Sequence, residues 1–140
     1  MEGRCQCRAV SFTTPLEKPL KIYVCHCDEC RFQSSSTYGL SLMFPAFEFP
    51  QSAKDNLQTW TRTTFEGREK KCIFCRKCGS RIAHYIDGQP LMTLKGCVDG
   101  LTKEMLDAAV HIWTKRAITP IPPGAEQWKE EPDDGTADKI

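Results

Sequence analysis

The segment Cys25-His26-Cys27-Asp28-Glu29-Cys30 packs three thiols and an imidazole into six residues, so one tight turn can aim them at a single point. Two further cysteine groups lie far from it along the chain. They are Cys5-Gln6-Cys7 at the start, and Cys72, Cys75 and Cys78 in the middle. Nine cysteines in 140 residues suggest a disulfide framework, but three features oppose it. The count is odd, Met1-Glu2-Gly3-Arg4 is no apolar leader, and the spacings C-x-C and C-x-x-C suit one metal better than bridges between distant loops. Thiolates at this spacing point to zinc.

Zinc takes four tetrahedral ligands in structural sites and usually three plus an open position in catalytic ones. Spacing alone does not decide which cysteine groups pair. One grouping joins Cys5 and Cys7 to Cys75 and Cys78 in a closed four-thiolate site and leaves Cys25, Cys27 and Cys30 as an open set of three. The two sets differ in chemistry. Four thiolates on a dication leave no vacancy, which is a structural arrangement. Three leave a single negative charge, so the metal is a weakened Lewis acid, poorer at polarising water than one held by neutral imidazoles. Such a site suits an incoming thiol held as thiolate, its nucleophilic form. The pattern therefore points to sulfur chemistry rather than hydrolysis. Cys72 can act as a spare ligand but reads, like Cys97, as a buried free thiol. His26 lies between two candidate ligands, where neighbouring side chains diverge, so it is expected beside the pocket rather than on the metal. It is the one candidate catalytic group besides the three cysteines. His84 and His111 sit in strand-like runs and are expected to be packed, and Asp28 and Glu29 to be exposed.

The elements that must position these groups are mostly strands. Ala9 to Thr14 alternates, with Val10 and Phe12 expected inward. Leu20 to Val24 is β-rich and runs directly into the cysteine cluster, where a rigid element can hold it. Asp28 to Gln33 fits a short helical turn. Gly39 to Phe49 is apolar, aromatic and broken at Pro45. It reads as buried strand, and Tyr38 to Phe49 is also a candidate wall for a small-molecule pocket. Gln51 to Asn56 reads as loop and Leu57 to Thr64 as strand. Lys70 to Phe74 leads into Cys75-Arg76-Lys77-Cys78-Gly79, where the glycine lets the backbone turn its amides toward the sulfurs. Arg81 to Ile86 is a short strand closed by the turn signal Asp87-Gly88, and Leu91 to Val98 is apolar enough to be central. Leu101 to Val110 is the one convincing helix, with Leu101, Met105, Leu106 and Ala109 on one face, and His111 to Trp113 is strand-like. The proline-rich Thr119 to Gly124 ends a domain over residues 1–124. Residues 125–140, polar and acidic, are expected as a loosely held tail.

A chain of this length is one domain, with a modest core of the kind a metal often reinforces. Its 19 Lys and Arg against 18 Asp and Glu give a net charge of +1, which is no electrostatic footprint for nucleic acid or anionic membrane. No apolar run reaches the roughly 18 residues that span a bilayer. A soluble, cytoplasmic protein acting on a small molecule is expected.

Taken together, Cys5-x-Cys7-x-Ala9-Val10, Val24-Cys25-His26-Cys27-x-x-Cys30-Arg31, Phe74-Cys75-x-x-Cys78-Gly79-Ser80, Gly96-x-Val98-Asp99 and His111-Ile112-Trp113 form an ordered series. In that series the chain resembles the glutathione-dependent formaldehyde-activating enzyme family, also called the CENP-V/GFA domain, from about Gly3 to Pro123. The resemblance implies a mainly β fold, a β-tent of small antiparallel sheets stapled by zinc, with one or two short helices. It implies two zinc ions per chain: a structural one on Cys5, Cys7, Cys75 and Cys78, and a catalytic one on Cys25, Cys27 and Cys30. It further implies carbon–sulfur lyase chemistry that joins formaldehyde and glutathione into S-hydroxymethylglutathione. The chain departs from the family at Arg8, where glycine is usual, at Cys97, where serine is usual, and around Ala117 to Thr119, where an aromatic is common. None of these positions is among the seven proposed ligands.

The expected function is thus a zinc-dependent carbon–sulfur lyase-type enzyme acting on a thiol–carbonyl adduct, with glutathione as co-substrate. Arg31, and otherwise Lys77 or Arg81, are the candidates to hold a carboxylate of that co-substrate. Two alternatives stand beside it. One is an enzyme of the same fold that tailors a larger hydrophobic metabolite by dehydration, cyclisation or decarboxylation without glutathione. The other is a non-catalytic, zinc-stabilised binding module, which needs only the four-thiolate site.

Overall fold

Short alternating runs set off by Gly, Pro and Asp turns can satisfy their backbone groups only by pairing with one another. In the computed structural model, which describes residues 1–132, they form two sheets. A two-stranded antiparallel ribbon joins β1 (Glu2–Arg4) to β2 (Ser11–Thr13). The second sheet contains β3 (Lys21–Cys25), β4 (Gly39–Pro45), β5 (Leu57–Thr63), β6 (Glu69–Cys75), β7 (Arg81–Tyr85), β8 (Leu91–Leu94) and β9 (Val110–Ile112). Their order is β5-β6-β7-β8-β4-β3-β9. Neighbours are antiparallel except β3 and β9, which run parallel. Three short α-helices, α1 (Asp28–Ser34), α2 (Gln51–Lys54) and α3 (Lys103–Asp107), and one 3₁₀ turn at Thr114–Arg116 complete the regular structure of the described residues. The fold is mainly β, as the sequence indicates. Helix α2 replaces the loop expected over Gln51 to Asn56, turning Ala53 into the core, and strand β1 falls in a stretch whose sequence gives no strand signal. Among the described residues, no helix is long and apolar enough to cross a membrane.

The period-two pleat gives the larger sheet two chemically different faces. One face carries Ile22, Val24, Leu42, Phe44, Ile73, Ala83, Met92 and Leu94 into the main core, together with Val10, Phe12 and Phe49. The opposite face carries Tyr23, Ser41, Met43, Thr93, His84, Cys72 and Trp60, which follow one another across the paired strands. The first face is apolar over β3, β4, β7 and β8 and turns polar toward β5, at Thr59, Thr61 and Lys71. The second is mixed along its length, and the cavity bordered by Cys25, Cys27 and Cys30 opens on it.

Two further expectations change. The helix read over Leu101 to Val110 is only five residues long, begun by Thr102, whose hydroxyl accepts from the Met105 amide at 3.3 Å. Val110 leaves it to pair with Tyr23 as part of β9, and Leu106, expected inward, stays exposed. The tail expected to be loose is fastened as far as it is described. The His111 amide donates to the Glu126 carbonyl at 2.8 Å, the Trp128 amide to the His111 carbonyl at 2.8 Å, and the Trp113 amide to the Glu130 carbonyl at 3.2 Å. Strand β9 lies at the sheet edge, and this segment covers its unpaired backbone groups. Residues 133–140 of the expected tail lie outside the described residues.

Candidate metal centres and the adjoining cavity

Cys5 follows β1 in a tight turn in which the Cys5 amide donates to the Val10 carbonyl at 3.0 Å and the Arg8 amide to the Cys5 carbonyl at 3.1 Å. The turn places Arg8 at φ +63°, a conformation that glycine adopts without strain. Cys75 ends β6, and Gly79, at φ +73°, reverses the chain so that its own amide reaches the Cys75 carbonyl at 2.9 Å. The Gln6 amide donates to the Ser80 hydroxyl at 3.1 Å and pins the two turns together. The sulfurs of Cys5, Cys7, Cys75 and Cys78 consequently lie within 4.8 Å of one another, with Cys5–Cys7 at 3.5 Å and Cys7–Cys75 at 3.8 Å.

The second set forms where β3 meets α1. Cys25 is the last residue of β3, paired with Gly39 on one side and Ile112 on the other. Cys27 caps α1, its sulfur accepting from the Cys30 amide at 3.4 Å, so Cys30 in the first turn faces back toward it. Helix α1 approaches the sheet closely because Gly39 has no side chain: a Cβ there would stand 2.9 Å from the Cys30 Cβ. The sulfurs of Cys25, Cys27 and Cys30 also lie within 4.8 Å of one another, with Cys25–Cys27 at 3.4 Å.

Both sets fit zinc on geometry. Zinc–sulfur bonds near 2.3 Å in a tetrahedron separate the sulfurs by about 3.8 Å, close to the spacings here and far from the roughly 2.05 Å of a disulfide. All nine cysteines are free thiols. The charge balance of the three-thiol set agrees. Cys25 donates to the Cys27 and Cys30 sulfurs, which holds its own proton well above the ordinary thiol range. Cys30, accepting from Cys25 and Cys27, ionises well below that range. Crowded thiols thus oppose one another's ionisation, and a dication among them lets all three ionise.

A cavity of about 310 Å³ opens on the three-thiol set. Cys25, Cys27 and Cys30 form one wall, and Arg62, Lys70, Arg81 and His84 contribute others. Among the described residues, no fourth histidine, cysteine or acidic ligand atom joins the three sulfurs within the same 4.8 Å. Cys72 is buried elsewhere, its thiol directed at the Lys70 carbonyl, and Cys97 directs its thiol at the Ile82 carbonyl. Cys72 is the buried free thiol that its sequence setting suggests, whereas Cys97, expected to be the same, is half-buried.

The remaining candidates sort differently. His26 is buried with its Nε2 3.0 Å from His111 Nδ1, and it lies neither in the thiol set nor on the cavity. Burial holds both imidazoles below their ordinary range. A catalytic role for His26 does not suit that position, since the backbone turn directs it to the other side of β3. Arg31 is half-buried and pairs with Asp28 at 3.1 Å, and neither it nor Lys77 lines the cavity. Of the three basic candidates only Arg81 does. The aromatic run offers the cavity only Ser41 and Met43, because Phe47 and Phe49 pack against Phe12 on the opposite face, Phe49 edge-on to it. Sequence reasoning missed Arg62, Lys70 and His84 as cavity residues. The available signal was their shared parity on β5, β6 and β7, which becomes meaningful only once those strands are paired.

The model of the family described as glutathione-dependent formaldehyde-activating enzyme matches residues 1–116. Among solved structures, a protein of Rhodobacter sphaeroides is similar with a TM-score of 0.59 at 20% identity, covering 79% of this chain and 99% of that one. That likeness establishes a shared fold. No curated protein matches the chain.

Proposed function

Since the chain belongs to the glutathione-dependent formaldehyde-activating enzyme family, we propose that it is a zinc enzyme whose reaction centre is the set Cys25, Cys27 and Cys30. The substrate is a thiol–carbonyl pair or its adduct, and the reaction is of the carbon–sulfur lyase type. The observation that carries this reading is the contrast between the two sets. Four sulfurs close one cluster, whereas three sulfurs form the wall of a cavity.

Cys5, Cys7, Cys75 and Cys78 would hold a structural zinc that ties the N-terminal ribbon to the end of β6. Cys25, Cys27 and Cys30 would hold the second, whose charge when bound favours an incoming thiol as thiolate. The balanced step joins the thiolate sulfur to the carbonyl carbon while the C=O electron pair moves to oxygen, which takes the proton the thiol released. The chain's part is to confine both partners in about 310 Å³ beside the thiols, where orientation replaces a bimolecular encounter. A binding module without catalysis would have no use for the second set.

Substituting Cys27→Ser and assaying formaldehyde consumption with and without glutathione tests the proposal. The variant should hold one zinc per chain instead of two, keep its fold and lose turnover. Unchanged turnover in Cys27→Ser, or one zinc in the wild type, overturns the open-site reading. Turnover that ignores glutathione moves the substrate to another small molecule.

A further inference from the structure

Four cations surround one buried histidine. His84 is 7% exposed and lines the cavity beside the three thiols, and its imidazole has no hydrogen-bond partner among the described residues. Burial first, and then the charges of Lys95, Lys70, Arg62 and Arg81, hold its imidazole well below the ordinary range, so it is neutral. Lys70, Arg62 and Arg81 line the same cavity, and none of them forms an ion pair among the described residues. Arg62 stands directly across from Lys70 in the β5–β6 ladder. Lys95 is buried behind them and donates to the Ser41 hydroxyl at 3.0 Å. The acidic groups on the cavity are Glu29 and Glu131; the Glu131 carboxylate accepts from Trp113 Nε1 at 2.7 Å and its charge offsets part of that of Lys70, against the three cations that line the cavity. Like charges gathered against a low-dielectric wall repel one another, and an anion among them relieves that repulsion.

We propose that Lys70, Arg62, Arg81 and His84 form an anion subsite that holds a carboxylate of the substrate while the reacting end of the same molecule meets the three thiols. This rests on the three-thiol set being the reaction centre. The chemistry of each group suits the task. A guanidinium offers a planar fork to a carboxylate, an ammonium offers a compact charge, and a neutral imidazole can donate one N–H. A cavity of about 310 Å³ is at the low end for small-molecule sites and fits a small acid.

Trp60 lines the cavity and supplies a reporter. The zinc-loaded chain is titrated by tryptophan fluorescence with 3-mercaptopropionate, 2-mercaptoethanol and propionate. The carboxylate-bearing thiol should bind at least about tenfold more tightly than 2-mercaptoethanol, the effect of one charge-assisted hydrogen bond. Lys70→Gln should reduce that ratio to less than about threefold and leave 2-mercaptoethanol unchanged, and Arg62→Gln, on the exposed strand, should act in the same direction. Equal binding of the two thiols by the wild type overturns the subsite. So does equal weakening of both thiols by the two variants, which marks a merely structural role. If propionate binds as tightly as 3-mercaptopropionate and both lose affinity in Lys70→Gln, the subsite stands and the thiol reading of the three-cysteine set falls.

Discussion

Replacing Gly39 by alanine tests whether the close approach of α1 to the sheet builds the three-thiol set. The added Cβ would stand 2.9 Å from the Cys30 Cβ, 3.3 Å from its carbonyl oxygen and 3.4 Å from its Cα. Carbon atoms pack best at about 3.5–4.0 Å, so α1 must retreat by about 0.6 Å or more. Two of the three contacts are to backbone, so no side-chain rotation relieves them. Overpacking of this kind costs about 1–3 kcal/mol, which for a domain of this size lowers Tm by about 3–10 °C. The effect on metal is sharper. Ligand distances tolerate only about 0.2 Å, and Gly39 pairs with Cys25 while pressing on Cys30, so the substitution separates two ligands of one set. The four-thiol set is built from other segments, β1 and the end of β6, and should be spared. Gly39→Ala should therefore bind one zinc per chain where the wild type binds two, measured by elemental analysis beside a thermal melt. A variant that keeps both zinc ions and the wild-type Tm refutes the packing argument.

Two further outcomes follow from backbone strain and from buried imidazoles. Arg8, at φ +63°, occupies a conformation that costs a side-chain-bearing residue about 1–2 kcal/mol. Arg8→Gly relieves it while adding freedom to the unfolded chain. The net expectation is a Tm higher by about 2–4 °C with unchanged zinc content, and a lower Tm contradicts the strain assignment. His84 and His111 are held neutral by burial, both below the ordinary imidazole range, and His84 is also flanked by four cations. Below about pH 6.5 the unfolded chain binds protons that the folded chain does not. The stability is fully present above that pH and is lost as pH falls through it toward the folded values. Urea midpoints between pH 7.5 and 5.5, with zinc content measured in parallel, should decline with acid. The decline should be shallower in His84→Gln, and an equally steep slope in that variant contradicts a neutral buried imidazole.

The cysteine spacings in the sequence carried most of the metal chemistry. C-x-C and C-x-x-C fix local turns, and turns are decided by the residues within them, so each half of the four-thiol set was visible without the fold. The glycine after Cys78 and the strand leading into Cys25 were legible for the same reason. Alternation also marked most strands, since a half-buried strand writes its period into the chain. Helix α3 was overread because Val110 and Ala109 look helical locally, while pairing with Tyr23 draws Val110 into β9. Which sets of cysteines share a site is a matter of contact between segments about 70 residues apart, and only the tertiary structure brings the Cys5 turn to the Cys75 turn. The cavity has the same origin. Arg62, Lys70 and His84 are unremarkable polar residues on three strands, and they become one basic wall because the β5–β6–β7 register puts them on the same face. His26, inside the best motif in the chain and between two of its cysteines, shows the converse. Sequence proximity made it a candidate, and the strand it follows directs it to the other side, against His111.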